Sequence, residues 1–362
     1  KFQKKCLEME MAVRQPVTLT QVAEAAGVSI ATVSRVLNRR GQVDEHTRRR
    51  VMTSVENLGY DASSIARKRE ARIEQRMFNV ELLLCPLAEQ KNMLLLDFMA
   101  EALRGVQSFF SRHGNVRMNI CTWEPDEIMH HEENEMIFNR LVNADGVLVI
   151  GNPASEIIDR LVEAGVMPVL ISTDRQDIPL NSVCFDDFSG GVMAARHLVE
   201  CGFRRIGFLC GSDKARSFLR RRSGVMVQTI DSLGFENFES RTPKTSDDSE
   251  VAVCFREWLE SGHCPEAIIT SHASAAAVVC RELKSCGLSC PEDYSIITFD
   301  DTIDNVFGLE ITHLHIYPRE LGIKSAQRIY QMMSSSGKDD RPYKIVLPLE
   351  LTMGNSVKCR AK

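Results

Sequence analysis

The sequence lacks the segments that would place it in a membrane or on an export route. No apolar run approaches the roughly 18 continuous residues of a membrane-spanning helix. No early stretch joins a basic start to an apolar core of signal-peptide length. The apolar bursts VELLLC and GVLVI have the length of β-strands instead. These absences favour a cytoplasmic protein, and 362 residues leave room for two or three domains.

Motifs of the common catalytic and metal sites are also absent. The chain has no G-x-S-x-G, no P-loop, no G-x-G-x-x-G and no H-E-x-x-H. Its 12 cysteines include no C-x-x-C pair, and the spacing of Cys280, Cys286 and Cys290 does not suit zinc. Cysteines in apolar stretches, such as Cys85 and Cys254, are expected to be buried free thiols. We therefore expect no enzyme, no metal site and no cofactor.

Charge is distributed unevenly along the chain. Residues 14–72 carry 11 Lys or Arg and 6 Asp or Glu, a net charge of +5, whereas residues 73–362 carry 30 and 41, a net charge of −11. A basic segment ahead of an acidic body indicates that the N-terminal part alone meets a polyanion. A solvated helix face would give the same balance, so the local pattern has to decide.

Two short amphipathic patterns follow each other between residues 18 and 38. Thr18 and Gln21 have the spacing of a capping box that begins a helix, and Gly27 suits the left-handed residue that ends it. Ser29 suits the N-cap of a second helix. The positions expected to face inward are Val22, Ala23, Ala26, Val33, Val36 and Leu37. The pattern predicts a helix-turn-helix, although short helical hairpins without a DNA role are also common.

The second helix would turn short, hydrogen-bonding side chains and one long cation outward, as a helix in the major groove of DNA requires. These outward residues are Ile30, Ala31, Thr32, Ser34 and Arg35. A third helix is predicted from its N-cap Asp44 to Gly59. Its inward positions would be Val51, Val55 and Leu58. Arg48, Arg49 and Arg50 lie in its first turns, where some can reach phosphates.

Residues 17–69, from VTLTQVAEAAGVSIATVSRVLN to SSIARKR, resemble the DNA-binding head of the LacI/GalR family of bacterial transcription regulators. The similarity is nearly free of gaps through the third helix and the LGY that follows it. It implies that Ile30, Ala31 and Arg35 read base edges. The positions implied to contact phosphate or to cap helices are Thr20, Ser29, Thr32, Ser34 and Asn38.

The resemblance weakens after LGY, where the family has a hinge helix ending in a leucine that wedges into the minor groove. Ser64 and Ala66 remain implied DNA contacts, but Arg69 takes the leucine position and Ala62 replaces a proline. An arginine cannot unstack bases as a leucine does, yet it suits a narrow, electronegative minor groove. We therefore expect Arg69 either to read groove width at the operator centre or to contact phosphate.

From about residue 77, strand-sized apolar runs alternate with helical stretches, and the series restarts near residue 182. This rhythm predicts two α/β lobes with a cleft at the carboxyl ends of their strands. GGVMAARHLVECGFRRIGFLCG and PEDYSIITFDD resemble the core of the same family. The predicted fold is multidomain: an all-α helix-turn-helix DNA-binding head followed by an α/β two-lobed periplasmic-binding-protein-like core.

The predicted boundaries follow from the resemblance. They are a disordered tail (1–16), the helix-turn-helix domain (17–62), the hinge (63–76) and the core (77–357). In the family's core the chain crosses between lobes three times, which we expect here near residues 184, 314 and 340. Lobe 1 would comprise 77–184 and 315–340, and lobe 2 would comprise 185–314 and 341–357.

The resemblance also implies an effector site between the lobes. Arg221 matches an arginine that holds a hydroxyl or carboxylate, and Asp300 matches an aspartate that accepts sugar hydroxyls. Phe98 matches a residue that often stacks on a ring. An ion pair between the lobes is the alternative role for Arg221 and Asp300. Three weaker candidates lie near the first crossing: Ser172, Thr173 and Asp174.

One site position departs from the family's sugar-responsive members, which commonly have Asn-Asp where this chain has His272 and Ala273. The exchange removes an acceptor carboxylate and adds an imidazole, which puts ordinary hexose recognition in doubt. His272 is either a pH-sensitive effector contact or a structural histidine.

The sequence therefore predicts a DNA-binding transcriptional regulator of the repressor type. A small effector, a sugar or a sugar derivative, would set its affinity for the operator. A pseudo-palindromic operator requires a homodimer or a tetramer, with expected contacts through Leu95, Val278 and Val279. The alternative is a solute-binding protein whose DNA-binding head has no function.

Overall fold

The computed structural model describes residues 17–37, 43–60, 76–85, 93–123, 131–211, 215–300, 306, 308–335 and 341–360. The predicted tail and four predicted DNA-binding residues, Asn38, Ser64, Ala66 and Arg69, lie outside these ranges. The chain divides after Arg76 into two compact units, which are described separately. Within the described ranges, the helices are too short or too polar to cross a membrane.

The first unit has its helices where the sequence predicts them: α1 (Leu19–Ala26), α2 (Ile30–Leu37) and α3 (Glu45–Leu58). Thr18 and Gln21 form the predicted reciprocal capping box at the start of α1. Gly27 ends α1 in the left-handed conformation, with a φ of 63°. The amide of Thr32 donates to the hydroxyl of Ser29 at 3.1 Å, which confirms the predicted cap of α2.

These helices enclose a small apolar core. Its buried members are Val22, Ala23, Ala26, Val33, Val36, Val51 and Tyr60. Asp44 caps α3, and Gly59 ends it, as predicted. The prediction that Leu58 faces inward is wrong, because its side chain is 37% exposed. Tyr60, two residues farther along the chain, is buried instead.

The second unit begins with β1 (Phe78–Cys85), α4 (Met93–Phe110), β2 (Val116–Thr122), α5 (His131–Val142), β3 (Gly146–Gly151), α6 (Ser155–Glu163), β4 (Val169–Ile171) and β5 (Asn181–Phe185). It continues with α7 (Asp187–Glu200), β6 (Ile206–Leu209), α8 (Arg216–Leu233), β7 (Phe238–Arg241), α9 (Asp248–Glu260), β8 (Ala267–Thr270), α10 (Ala273–Ser285), β9 (Ser295–Phe299) and β10 (Thr312–His315). It ends with α11 (Pro318–Ser334), β11 (Lys344–Leu347) and β12 (Glu350–Thr352).

These elements form two lobes, each built on a six-stranded sheet. The strand order is β11-β5-β4-β3-β1-β2 in lobe 1 and β12-β10-β9-β8-β6-β7 in lobe 2. All described pairings are parallel except β10 with β12. The two orders match position by position, so that β4 in lobe 1 corresponds to β9 in lobe 2. In such sheets, ligands bind beyond the carboxyl ends of the strands.

The chain crosses between the lobes three times. The first crossing follows Phe185, and the second joins β10 to α11. The third lies between β11 and β12, not near residue 340 as predicted, because Lys344–Leu347 pairs in parallel with β5. The assignment of all residues from 341 onward to lobe 2 is therefore wrong, since β11 completes the sheet of lobe 1.

In each lobe, a helix that arrives by a crossing packs closely against the helix that follows the first strand. Gly322 of α11 faces Gly105 of α4, and Gly191 of α7 faces Gly224 of α8. A Cβ atom at any of these four glycines would overlap a backbone carbonyl oxygen of the opposing helix. The glycines thus allow the two backbones of each pair to touch.

Beyond β12, the chain remains attached to lobe 2. The hydroxyl of Ser356 donates to the carbonyl of Ile296 at 2.6 Å and accepts from the amide of Thr312 at 2.9 Å. Cys359 forms a disulfide with Cys201, the residue that follows α7. The C-terminal segment therefore belongs to the structure of lobe 2.

The cysteines and the expected subunit contacts need further corrections. The Cys201–Cys359 disulfide was not predicted, and Cys254 is free but only half-buried, whereas Cys85 is a buried free thiol as predicted. Val278 and Val279 cannot form the expected subunit contact, because both are fully buried in lobe 2. Their side of α10 packs against that lobe's apolar core. The side chain of Leu95 lies outside the described residues.

Candidate DNA-binding and effector sites

The exposed face of α2 carries the predicted base-reading residues. Ile30 is 48% exposed, and Ala31 and Arg35 are exposed as well. Ala31 and Arg35 lie four residues apart, which places them on one face of the helix. An exposed isoleucine beside a cation has no use in the core of this unit, but apolar groups and arginine both contact base edges in a major groove.

The predicted phosphate-contacting residues divide into two groups. Thr20 is exposed in the first turn of α1, where its hydroxyl could contact phosphate. Ser29 and Thr32 are engaged with each other, since their hydroxyl oxygens lie 2.9 Å apart at the start of α2. Ser34 is half-buried. The capping role that the sequence left open for Ser29 is thus the one that the geometry supports directly.

The three arginines of α3 have different roles. Arg50 donates through Nη2 to the carbonyl oxygens of Ala26 at 2.5 Å and Gly27 at 3.3 Å, which ties α3 to the end of α1. Arg48 and Arg49 instead form weak surface pairs with Glu45, at 3.8 and 3.5 Å. Sequence reasoning did not identify the structural role of Arg50, because it depends on a contact between residues 24 positions apart.

Arg221 is the centre of a buried polar cluster in lobe 2. Its side chain is 5% exposed, and its Nε donates to Oδ1 of Asp187 at 2.8 Å. Its Nη atoms lie 2.9 and 3.1 Å from the Asp300 oxygens, and Nη1 also donates to the carbonyl of Ser271 at 2.6 Å. Burial lowers the pKa of Arg221, but Asp300 and Asp187 raise it above its ordinary value, so the guanidinium stays charged.

The positions of Arg221 and Asp300 exclude the alternative role suggested for them, an ion pair between the lobes. Both residues belong to lobe 2, so their ion pair does not join the lobes. Asp187, at the start of α7, was not predicted as part of the cluster. The signal for Asp187 was its place just after the first crossing, where the chain enters lobe 2.

A different ion pair joins the lobes. Asp174 follows β4 in lobe 1, is 4% exposed and pairs with Arg220 of α8 in lobe 2 and with Lys344 of lobe 1, the latter at 2.6 Å. Burial alone would raise the pKa of Asp174, but hydrogen bonds from Lys344 and Arg220 hold it below its ordinary value. Asp174 therefore holds a negative charge at the junction of the lobes.

His272 follows β8 and is 8% exposed. Its ring stacks on Phe218 of α8, with the ring centroids 5.3 Å apart and an angle of 10° between the planes. Nδ1 lies 2.8 Å from the hydroxyl of Ser271, whereas Nε2 is buried and has no hydrogen-bond partner within the described part of the chain. A Cβ atom at Gly211 would lie 2.5 Å from Cε1 of the ring, so the glycine leaves space for it.

Ser172 and Asp300 share an unusual backbone conformation. Their φ angles are 65° and 67°, a region that residues other than glycine rarely occupy. Ser172 follows β4 and Asp300 follows β9, the corresponding strands of the two lobes. Such strain concentrates at functional sites. The conformation therefore supports both residues as candidates.

The remaining candidates lie in lobe 1. Phe98 is half-buried on α4 and packs against the apolar core. Thr173 is 8% exposed, and its carbonyl accepts from the thiol of Cys184. The structure thus brings Arg221, Asp300 and His272 together in lobe 2, linked through Ser271 and Phe218. Phe98, Ser172 and Asp174 belong to the facing lobe.

The burial of His272 predicts a loss of stability in mild acid. Burial lowers its pKa, Asp300 opposes the shift and Arg221 adds to it, which together leave the pKa at about 4. Between pH 6.5 and 4 the unfolded chain binds a proton that the folded chain does not, so unfolding becomes easier as the pH falls. The free energy of unfolding is lowered by about 3 kcal/mol at pH 4 through this group. Unfolding free energies of the wild type and His272→Gln, measured from pH 7 to pH 4, should differ by a pH-dependent amount. A constant difference would contradict the shift.

Two family models and several relatives match this chain. The model described as bacterial regulatory proteins, lacI family, matches residues 18–63, and that of the periplasmic binding protein-like domain matches residues 195–357. The HTH-type transcriptional regulator DegA of Bacillus subtilis (strain 168) is 26% identical over 344 residues, which are 94% of this chain and 97% of DegA. The HTH-type transcriptional repressor PurR of Haemophilus influenzae (strain PittEE) is 24% identical, with 94% and 98% covered.

A solved structure shows the same fold. The crystal structure of the lac repressor dimer bound to operator and the anti-inducer ONPF aligns with a TM-score of 0.62 at 22% identity. The alignment covers 94% of this chain and 99% of that chain. The head and the two-lobed core therefore occur together in a known architecture.

Within the described residues, no three His, Cys, Asp or Glu side chains are placed to hold a metal ion. This finding covers Cys280, Cys286 and Cys290, whose spacing in the sequence does not suit zinc.

Proposed function

Because this chain belongs to the lacI family of bacterial regulatory proteins, we propose that it is a transcriptional repressor whose affinity for operator DNA is set by a small effector. The observation that carries the proposal is the exposed face of α2, where Ile30, Ala31 and Arg35 lie together on a capped helix-turn-helix. Two such heads read a pseudo-palindromic operator, so the functional unit is a homodimer at least.

Each predicted DNA-binding residue has a role in this proposal. Arg35 hydrogen-bonds to a guanine edge, and Ile30 and Ala31 contact thymine methyl groups. The phosphate contacts and caps come from Thr20, Ser29, Thr32, Ser34 and Asn38. Ser64 and Ala66 contact the minor groove, and Arg69 reads its width in place of the family's leucine.

The effector binds between the lobes, beyond the carboxyl ends of the strands. Its proposed contacts are Phe98, Ser172, Asp174, Arg221, His272 and Asp300. Arg221 is already held by two carboxylates, so it fixes Asp300, whose oxygens accept effector hydroxyls. Binding changes the angle between the lobes at the Asp174–Arg220 pair and acts on the DNA-binding head through residues 63–76. A coupling free energy of about 1–3 kcal/mol would change operator affinity about 5- to 150-fold.

The same proposal places the protein in the cytoplasm, where operator DNA is, and assigns it no enzymatic activity and no cofactor. A solute-binding protein with a non-functional head is the competing function. The two differ in their binding to DNA: only the repressor retains a sequence preference as salt rises, because base contacts release no counterions.

Selection from random duplex DNA with the purified chain, at salt raised between rounds, tests the proposal. Recovery of a pseudo-palindrome at the higher salt supports a dimeric repressor, and its central base step shows what Arg69 reads. Binding without any sequence preference, abolished by salt, would contradict the proposal and favour the solute-binding protein.

The base-reading role of Arg35 predicts a specific loss. Arg35→Ala should weaken binding to the selected operator by about 1–3 kcal/mol and relax the preference at one symmetric pair of positions. Arg49→Ala is the matched control, since Arg49 is an exposed cation on α3. It should weaken binding to all sequences alike and reduce the salt dependence by about one counterion. Equal losses on operator and random DNA for Arg35→Ala would contradict a base contact.

A further inference from the structure

We propose that Nε2 of His272 recognises a hydroxyl group of the effector, and that the site accepts uncharged, hydroxyl-bearing molecules while rejecting their acids and phosphates. The inference rests on the proposed function, because it assumes an effector bound between the lobes. It adds which residue selects the effector and by which chemical group.

The first observation is the state of the His272 ring. Ser271 engages Nδ1, Phe218 supports one face, and Gly211 makes room for the edge. The ring is therefore held in place, although Nε2 has no hydrogen-bond partner among the residues that the structure describes. A buried polar atom without a partner costs free energy, and this cost disappears when a ligand supplies one.

The second observation is the balance of charge around the ring. Asp187 and Asp300 outweigh Arg221 by one negative charge beside the ring, whereas Arg220 and Lys344 outweigh Asp174 by one positive charge at the junction of the lobes. These side chains are three cations and three carboxylates. Beside the ring, the described side chains therefore present a net negative charge to an anionic effector, which would have to displace a carboxylate from a buried arginine.

His272 cannot supply the missing positive charge. It precedes α10, whose N-terminal dipole disfavours an imidazolium, and burial lowers its pKa to about 4. Either tautomer leaves one hydrogen-bonding function at Nε2, a donor or an acceptor. A hydroxyl group satisfies both cases because it can donate and accept. This pairing is the chemistry that selects an uncharged effector.

The test compares neutral compounds with their charged counterparts. The probes are neutral pentoses, hexoses, disaccharides and alditols, each beside its sugar acid or sugar phosphate. Binding to the purified full chain is measured by thermal shift and then by calorimetry. We expect a neutral probe to bind at least about tenfold more tightly than its anionic partner, a factor equal to about 1.4 kcal/mol. Failure of every neutral probe to bind, or tighter binding of the anion, would overturn the proposal.

Two variants assign the effect to Nε2. The amide of His272→Gln can reach the position of Nε2, whereas His272→Asn can replace only Nδ1. We expect His272→Asn to weaken the best neutral probe about 10- to 100-fold and His272→Gln to retain most of the affinity. One monodeoxy form of that probe should bind the wild type weakly and be insensitive to His272→Asn. Equal affinities of wild type and His272→Asn for the parent probe would exclude the contact, and solvent would then be the partner of Nε2.

The comparison of neutral and anionic probes uses the wild type, so it stands even where a variant fails to fold. Operator binding, measured in parallel, tests the repressor function separately from the role of His272. Sequence-specific DNA binding without selectivity for neutral probes overturns the role of His272 alone. Loss of sequence-specific DNA binding contradicts the repressor itself.

Discussion

Replacing Arg221 with methionine is expected to lower the unfolding free energy of the core by about 3–5 kcal/mol. The guanidinium is buried between the carboxylates of Asp187 and Asp300 and also binds the carbonyl of Ser271. Methionine preserves much of the volume but leaves both carboxylates without their cation in a site of low polarity. The loss of stability comes from the two uncompensated carboxylates rather than from a smaller buried apolar area.

Urea unfolding followed by the two tryptophans of the core, Trp123 and Trp258, measures this change. Arg196→Met is the matched control, since Arg196 is exposed on α7 and the same substitution there should change stability by less than about 0.5 kcal/mol. A double variant with Asp187→Asn should recover part of the loss, because it removes one of the uncompensated charges. Equal stability of Arg221→Met and Arg196→Met would show that the cluster contributes nothing to folding.

The second large effect is expected from a substitution that adds only one methyl group. Gly224→Ala should destabilise the core by about 3 kcal/mol, because the new Cβ atom would overlap the carbonyl oxygen of Phe188. The carbonyl oxygen belongs to the backbone of α7 and the Cβ atom is fixed rigidly to the backbone of α8, so the two helices must separate before the methyl group fits. Helix propensity acts in the opposite direction, since alanine favours a helix over glycine by about 1 kcal/mol.

Whether Gly224→Ala lowers or raises the stability therefore shows which effect is larger, the steric overlap or the helix propensity. Ser223→Ala, the neighbouring substitution, removes a hydroxyl that bonds back to the carbonyl of Leu219 and should have little effect. Thermal unfolding of the two variants at one pH is sufficient for the comparison. A stabilised Gly224→Ala would mean that the two helices can part at little cost, and that their close approach does not hold lobe 2 together.

The head was predictable because its signals are local. The caps at Thr18, Ser29 and Asp44 and the glycine at 27 each act within four residues, and all are present in the structure. Leu58 was misassigned because periodicity shows which side of α3 is apolar but not which turns of that side are covered by other residues. Arg50 shows the same limit, since its partners lie on another helix.

Most strands of the core were predictable from apolar runs, but the sheet to which a strand belongs was not. β11 and β12 are separated by only two residues, yet they complete different lobes. Nothing in KIVLPLEL distinguishes them, because sheet membership is decided by the partner strands, β5 for β11 and β10 for β12, which lie elsewhere in the sequence. Val278 and Val279 were misassigned for a related reason: an apolar helix face suits a protein core as well as a subunit contact.

The candidate effector site was partly predictable. The resemblance pointed to Arg221, Asp300 and His272, which the structure brings together. It could not show that Arg221 is already neutralised, because Asp187 lies 34 residues away in sequence. It also gave no role to Arg220, the adjacent residue, which pairs with Asp174. Only the positions of the two arginines on α8 direct one to the facing lobe and the other into lobe 2.

Strands β11 and β12 follow each other in sequence and complete the sheets of both lobes, which has a consequence for truncated alleles. A premature stop codon at position 344 would delete an edge strand from each sheet, the Ser356 hydrogen bonds and the disulfide partner of Cys201. The head would still be translated as a separate compact unit. Alleles truncated at position 344 should therefore lose effector response as completely as deletions of the whole core.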